Sequence, residues 1–154
     1  MALLHVALWE PEIPPNTGNV ARLCAATGSS LHLIGRLGFR IDDRALRRAG
    51  LDYWDAVELH RHDSLAGLEE DHAGRGRLFC VSTRGDLAYT AVQYQPGDCL
   101  LFGPESRGLP EVVLERHVGR TLRIPMPAGT VRSLNLATAV GIVLYEALRQ
   151  LHGW

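Results

Sequence analysis

Three groups of polar residues stand where a strand or helix is expected to begin or end. Asn16-Thr17-Gly18-Asn19-Val20-Ala21-Arg22 sets a carboxamide and a guanidinium six positions apart at a helix start. Gly103-Pro104-Glu105-Ser106-Arg107-Gly108 follows the apolar run Leu100-Leu101-Phe102. Arg132-Ser133-Leu134-Asn135 opens a helix whose interior is apolar and small, with Ala137, Ala139 and Gly141. Polar side chains at the mouth of such a helix either cap it or handle a substrate. Gly103 lets the backbone approach a ligand closely, Pro104 stiffens the exit, and Glu105 falls where ligands bind open α/β sheets. Singly, each group also reads as ordinary structure: a capped helix with an exposed arginine, a turn with a solvated Glu–Arg pair, a serine N-cap. Their joint occurrence in this order, with Ile124-Pro125-Met126 ahead of the third, points to one site.

The elements that must position these residues alternate along the chain. Short apolar runs at Leu3–Leu8, Leu31–Ile34, Val57–His60, Leu78–Ser82, Cys99–Phe102 and Thr121–Ile124 read as strands. Helices are expected from Asn16 or Thr17 to Ala26 with Gly28 as stop, over Asp42–Ala49 with Asp42 as cap and Gly50 as stop, and over Ser64–Asp71. Two more are expected at Glu111–His117, after Pro110, and at Ser133–Leu151. Such alternation of buried-type strands with helices predicts one α/β domain over residues 1–154, a parallel sheet covered on both faces.

Bulk composition narrows the class. The chain has 154 residues, 46% hydrophobic and 21% charged, with a net charge of −1. No apolar run reaches the ~20 residues of a membrane span, and no basic leader is apparent, so cytoplasmic residence and no membrane contact are expected. Cys24, Cys80 and Cys99 are odd in number and lie in apolar surroundings, which predicts buried thiols. The seven histidines look dispersed, only His60 and His62 being close, and no metal is expected. All sixteen basic residues are arginine. Arg36, Arg40, Arg44, Arg47 and Arg48 crowd one segment, a local patch able to bind phosphates whatever the net charge.

Conventional nucleotide loops are missing. Strand one runs into Trp9-Glu10-Pro11-Glu12-Ile13-Pro14-Pro15, which cannot form a glycine-rich cradle, and no GxxxxGK[ST] stretch occurs. The three motifs instead resemble those of the SPOUT superfamily, specifically its RNA ribose 2′-O-methyltransferases: Asn16–Arg22 the first, Phe102–Gly108 the second, Arg123–Ala137 the third. The resemblance runs from Leu3 to about Gln150. Glu10–Asn19 and Arg47-Arg48-Ala49-Gly50-Leu51-Asp52-Tyr53 narrow it to the short bacterial enzymes that methylate the wobble ribose, at position 34, in certain leucine tRNAs.

That resemblance implies a parallel-sheet fold with a C-terminal deep trefoil knot, against the usual rule that chains stay unknotted. It implies S-adenosylmethionine as methyl donor, held at Val81, Ser82, Gly103, Ile124, Ser133 and Leu134, and a homodimer whose sites borrow first-motif residues from the partner. Arg22, Asn16, Glu105, Ser133 and Asn135 are the implied catalytic set. A ribose hydroxyl is a poor acid, so the site must steady a developing oxyanion. A guanidinium keeps its proton in proteins, so Arg22 is expected to act as a fixed cation that also grips a phosphate. Arg22 and the Arg36–Arg48 patch are the candidate tRNA contacts, with Tyr53 or Trp54 available for stacking. Methylation of another RNA, a catalytically silent RNA-binding protein of the same fold and an unrelated α/β enzyme remain as alternatives.

Overall fold

The computed structural model describes residues 2–42 and 44–154. Its strands are β1 (His5–Trp9), β2 (Ser30–Ile34), β3 (Leu59–His62), β4 (Leu78–Val81), β5 (Leu87–Ala88), β6 (Cys99–Phe102) and β7 (Thr121–Arg123). They form one sheet in the order β3-β2-β1-β6-β4-β7-β5, every pair parallel. Helices α1 (Pro14–Thr27), α2 (Arg44–Gly50), α3 (Leu65–His72), α4 (Glu111–Arg116) and α5 (Leu136–His152) connect and cover it.

Both faces are buried, which is why the strands read as nearly continuous apolar runs. Leu4, Val6, Leu8, Leu31, Leu33, Phe79, Leu100, Phe102 and Leu122 pack with Val20 and Cys24 of α1 and Val140, Val143 and Leu144 of α5. Their neighbours in the strands, Ala7, Ile34, Leu78, Cys80, Cys99 and Leu101, pack with Leu65 and Leu68 of α3 and Val113 and Leu114 of α4. Cys24, Cys80 and Cys99 are free and buried as expected, and burial pushes the Cys24 and Cys80 thiols up to about 12.

Several element ends differ from the expectation, each for a local reason. Strand β3 starts at Leu59 rather than Val57, and the two-residue β5 is too short to leave a pattern. Helix α1 begins at Pro14 and Pro15, which have no N–H to leave unpaired, so neither Asn16 nor Thr17 is its cap. Helix α2 begins at Arg44; the Asp42 carboxylate pairs with Arg40 at 3.2 Å, and beyond Gly50 the chain continues as a 3-10 helix, Leu51–Ala56. Helix α5 begins at Leu136 with Asn135 as N-cap, not Ser133: the Asn135 side chain accepts from the Thr138 amide at 3.2 Å.

Five of the seven histidines come together. His5, His32, His60 and His62 come from three adjacent strands, and His72 of α3 packs edge-on against His5 at 4.9 Å between ring centroids. His32 lies opposite Ala7 on one side and His60 on the other. Its Nε2 is 3.0 Å from His5 Nδ1 and its Nδ1 is 2.9 Å from His62 Nε2. His72 Nε2 lies 2.8 Å from the Gly97 carbonyl. Burial pushes His5 down to about 4, with His72 adding to the shift, and pushes His32 down to about 3, with His5 adding. The ring nitrogens hydrogen-bond to one another, and among the described residues no group of three or more His, Cys, Asp or Glu is placed to hold a metal.

Candidate active site

The first motif is held by the second. The prolines opening α1 leave the Glu12 and Ile13 amides ahead of the helix, and both donate to the Glu105 carboxylate at 2.8 Å. Asn16 is buried, and its Nδ2 donates to the same carboxylate at 3.2 Å. The third motif joins through Asn135, whose Nδ2 donates to Asn16 Oδ1 at 3.0 Å. Glu105, Asn16 and Asn135 thus form one chain of hydrogen bonds linking the starts of α1 and α5 to the loop after β6.

A reciprocal clamp reinforces it. The Glu12 carboxylate accepts from the Ser106 amide at 2.8 Å and its hydroxyl at 2.9 Å, and these bonds hold its carboxyl below the usual carboxylate range. Arg107 pairs with Glu10 at 2.9 Å. The carboxylate–arginine pair in this loop therefore involves Glu10 rather than Glu105. Gly103 lets the loop turn back on itself: a Cβ there would lie 2.4 Å from Gly108 C and Leu109 N. Gly85 is as tight, its Cβ position being 2.4 Å from the Leu122 carbonyl group.

Beyond the carboxyl ends of β4, β6 and β7, neighbours in the sheet, lies a cleft of about 560 Å³. Ligands bind open parallel sheets at such ends. Val81, Ser82, Gly103, Ile124, Ser133 and Leu134 all line it, as do Asn16, Glu105 and Asn135. Phe102, Leu136 and Ala139 extend its apolar wall; Met126 and Arg132 of the third motif line it as well, and Arg84, outside the three motifs, lies on it without having been expected there. Arg84 follows β4 by three residues, so its closeness to a strand end was the only signal for it.

Arg22 is not in this cleft. Six residues past Asn16, it lies about 9 Å further along α1 and about 240° around it. Its side chain is exposed, with the guanidinium carbon 5.4 Å from the centre of the Tyr53 ring. It therefore orients neither through Asn16 nor through Glu105. The Arg36, Arg40, Arg44, Arg47 and Arg48 patch is also exposed, Arg47 lying 5.6 Å over the Trp54 ring. Helix α2 and the 3-10 helix both pack on α1, so the patch and Arg22 belong to one region of the surface.

The profile of the SpoU rRNA Methylase family matches residues 3–145. The chain belongs to the SpoU methylase family. A Yersinia pestis relative named tRNA (cytidine(34)-2′-O)-methyltransferase is 53% identical, the match covering 97% of this chain and 94% of that one. An Escherichia coli K12 relative of the same name is 52% identical, with the same coverage. A solved structure concerned with 2-OH methylation of C/U34 on tRNA is 56% identical, with a TM-score of 0.94 over 98% of this chain and 97% of that one. The SpoU methyltransferase AviRb from Streptomyces viridochromogenes, solved with AdoMet, is 27% identical, with a TM-score of 0.87 over 99% of this chain and 62% of that one.

For a SpoU methylase the cleft is apt. Val81, Phe102, Ile124, Leu134, Leu136 and Ala139 offer an apolar slot for an adenine ring. Between β7 and α5 the chain is irregular, so its amides and carbonyls are not spent on helix or sheet. Ser133 adds a polar side chain to the same lining, beside Asn135, whose amide is engaged with Asn16 and the Thr138 N–H. This donor set fits S-adenosylmethionine.

Proposed function

We propose that this protein methylates the ribose 2′-hydroxyl of nucleotide 34 in tRNA, cytidine or a modified uridine, with leucine tRNAs as its substrates. The observation that carries the reading is the convergence of three motifs on one cleft. Asn16, Glu105 and Asn135 join there by hydrogen bonds, in a chain half identical to proteins named for this reaction. S-adenosylmethionine, seated against Val81, Ser82, Gly103, Ile124, Ser133 and Leu134, supplies an electrophilic methyl group.

The remaining work falls to the chain's own residues. Glu105 and Asn16 hold the two helix starts, so their part is positioning. Ser133 is exposed on the cleft wall and able to meet the incoming nucleotide. Arg22 is the fixed cation that stabilises the developing alkoxide and grips the neighbouring phosphate. Because Arg22 points away from its own cleft, the reading requires a homodimer in which each cleft takes the partner subunit's Arg22. The face of α5 bearing Gly141, Ile142 and the 44%-exposed Tyr145 is the surface we assign to that contact. The Arg36–Arg48 patch, beside Arg22, would then hold the tRNA next to the site.

The same reading makes the whole chain one cytoplasmic methyltransferase domain with a C-terminal trefoil knot. One backbone approach between distant segments, Gly85 on Leu122, too close for any side chain, supports the knot. Among the described residues no helix is long and apolar enough to cross a membrane. The deciding experiment incubates the protein with S-adenosylmethionine and total tRNA, then maps methylated riboses by mass spectrometry. A 2′-O-methyl group at nucleotide 34 of leucine tRNAs is expected; methylation elsewhere, or none, overturns the reading.

A further inference from the structure

Three guanidinium groups line the cleft, and two of them are neutralised. Arg84 pairs with Glu111 and donates to the Leu109 carbonyl at 2.7 Å. Arg107 pairs with Glu10 at 2.9 Å. The other acids nearby are also committed, Glu105 to the Glu12 and Ile13 amides and to Asn16, Glu12 to Ser106. Arg132 alone of the three has neither an ion pair nor a hydrogen bond among the described residues, and it is exposed.

Arg132 is thus the one of these three guanidinium groups with no carboxylate partner among the described residues, while the Glu105 carboxylate, held by neutral amides, keeps its own charge on the first-motif side of the cleft. We infer that Arg132 binds a phosphodiester flanking the reacting ribose, an inference that rests on the RNA-methylation reading above. The cofactor also carries a carboxylate, but its ammonium group is attached to the adjacent carbon, so a lone guanidinium there meets a cation as well as an anion. A backbone phosphate has no such companion and offers two oxygens to the planar fork. Exposure favours the same partner, since the nucleic acid arrives from solvent while the slot beneath is apolar. Arg132 thereby anchors the substrate at the cleft, on a different element from the Arg36–Arg48 patch.

The test uses the full-length protein, S-adenosylmethionine and a tRNA with cytidine at position 34, comparing wild type with Arg132→Gln and Arg132→Lys. For Arg132→Gln, KM for tRNA should rise about tenfold, and the slope of log(kcat/KM) against log salt should flatten by about 0.7–0.9, the loss of one phosphate contact. Cofactor affinity by calorimetry should stay at the wild-type value, which also establishes that the variant is folded, and Arg132→Lys should recover most of the slope. An unchanged slope overturns the inference, whether KM is also unchanged or cofactor binding alone is weakened. Wild-type turnover on the same tRNA judges the parent reading separately, and direct tRNA binding at graded salt reads the Arg132 contact even without turnover.

Discussion

Titrating the protein from pH 7.5 to pH 5 charges histidines in the unfolded chain while His5 and His32 stay neutral in the folded one. Their ordinary value is 6.5, and in the sheet they fall to about 4 and about 3. A base whose pKa is lowered by folding binds fewer protons in the native state. Its contribution to stability is therefore complete above pH 6.5 and is lost as pH falls towards the native value. Each such group costs about 1.4 kcal/mol per pH unit across that window. Over the 1.5 units from pH 6.5 to 5, the two together remove about 4 kcal/mol, a large share of the ~5–15 kcal/mol typical of a domain. Because the rings share a hydrogen bond of 3.0 Å, the loss belongs to the pair rather than to either ring. His62, also lowered by burial, acts in the same direction. Glu12, Glu58 and Glu146, held below 4.5 by their hydrogen bonds, weaken the fold only at lower pH and do not blur the window. Urea denaturation at half-unit steps should show stability falling with a slope equivalent to about two protons between pH 6 and 5. A free energy flat to within 1 kcal/mol from pH 7 to 5 would refute the reasoning.

Three further perturbations probe the cleft and the proposed fixed cation. Glu105→Ala frees the Glu12 and Ile13 amides and the Asn16 side chain, and should lower stability by about 2–3 kcal/mol in urea denaturation, with Glu105→Gln losing less because one acceptor survives. Gly103→Ala places a Cβ 2.4 Å from the backbone of Gly108 and Leu109. It should cost about 3 kcal/mol or more and lower Tm accordingly, since only a backbone shift relieves the overlap. Arg22→Lys keeps the charge but loses the planar fork, and single-turnover methyl transfer should slow by about 100-fold with cofactor affinity unchanged by calorimetry. Near-native turnover would remove the guanidinium from the mechanism.

What could be read from the sequence was whatever a short window carries. The strand Cys99–Phe102 stands as expected because four consecutive apolar residues and a following glycine need no distant partner. All six positions expected to meet the cofactor line the cleft because they lie at strand ends or in the segment before α5. The misplaced features depend on pairings far apart in the chain. Asn16 looked like a cap, but the group that receives the amides ahead of α1 comes from Glu105, 92 residues on from Ile13. Ser133 looked like the cap of α5 because serine caps helices well, yet Asn135 both caps it and reaches Asn16. The five histidines look scattered because parallel pairing, which places His32 between Ala7 and His60, joins strands separated by whole helices.

The Glu105–Asn16–Asn135 connection also has a consequence for the order in which the molecule is made. Its bonds span 89 and 119 positions. While a ribosome is still adding residues up to Asn135, the start of α1 has no carboxylate beneath it until Glu105 emerges. The wall of the cleft closes only after Asn135 follows. Contacts of such long range form late and slowly. A nascent chain halted before its last helix therefore presents the arginine patch without a completed pocket, and competence for methyl transfer arrives together with the final tertiary structure.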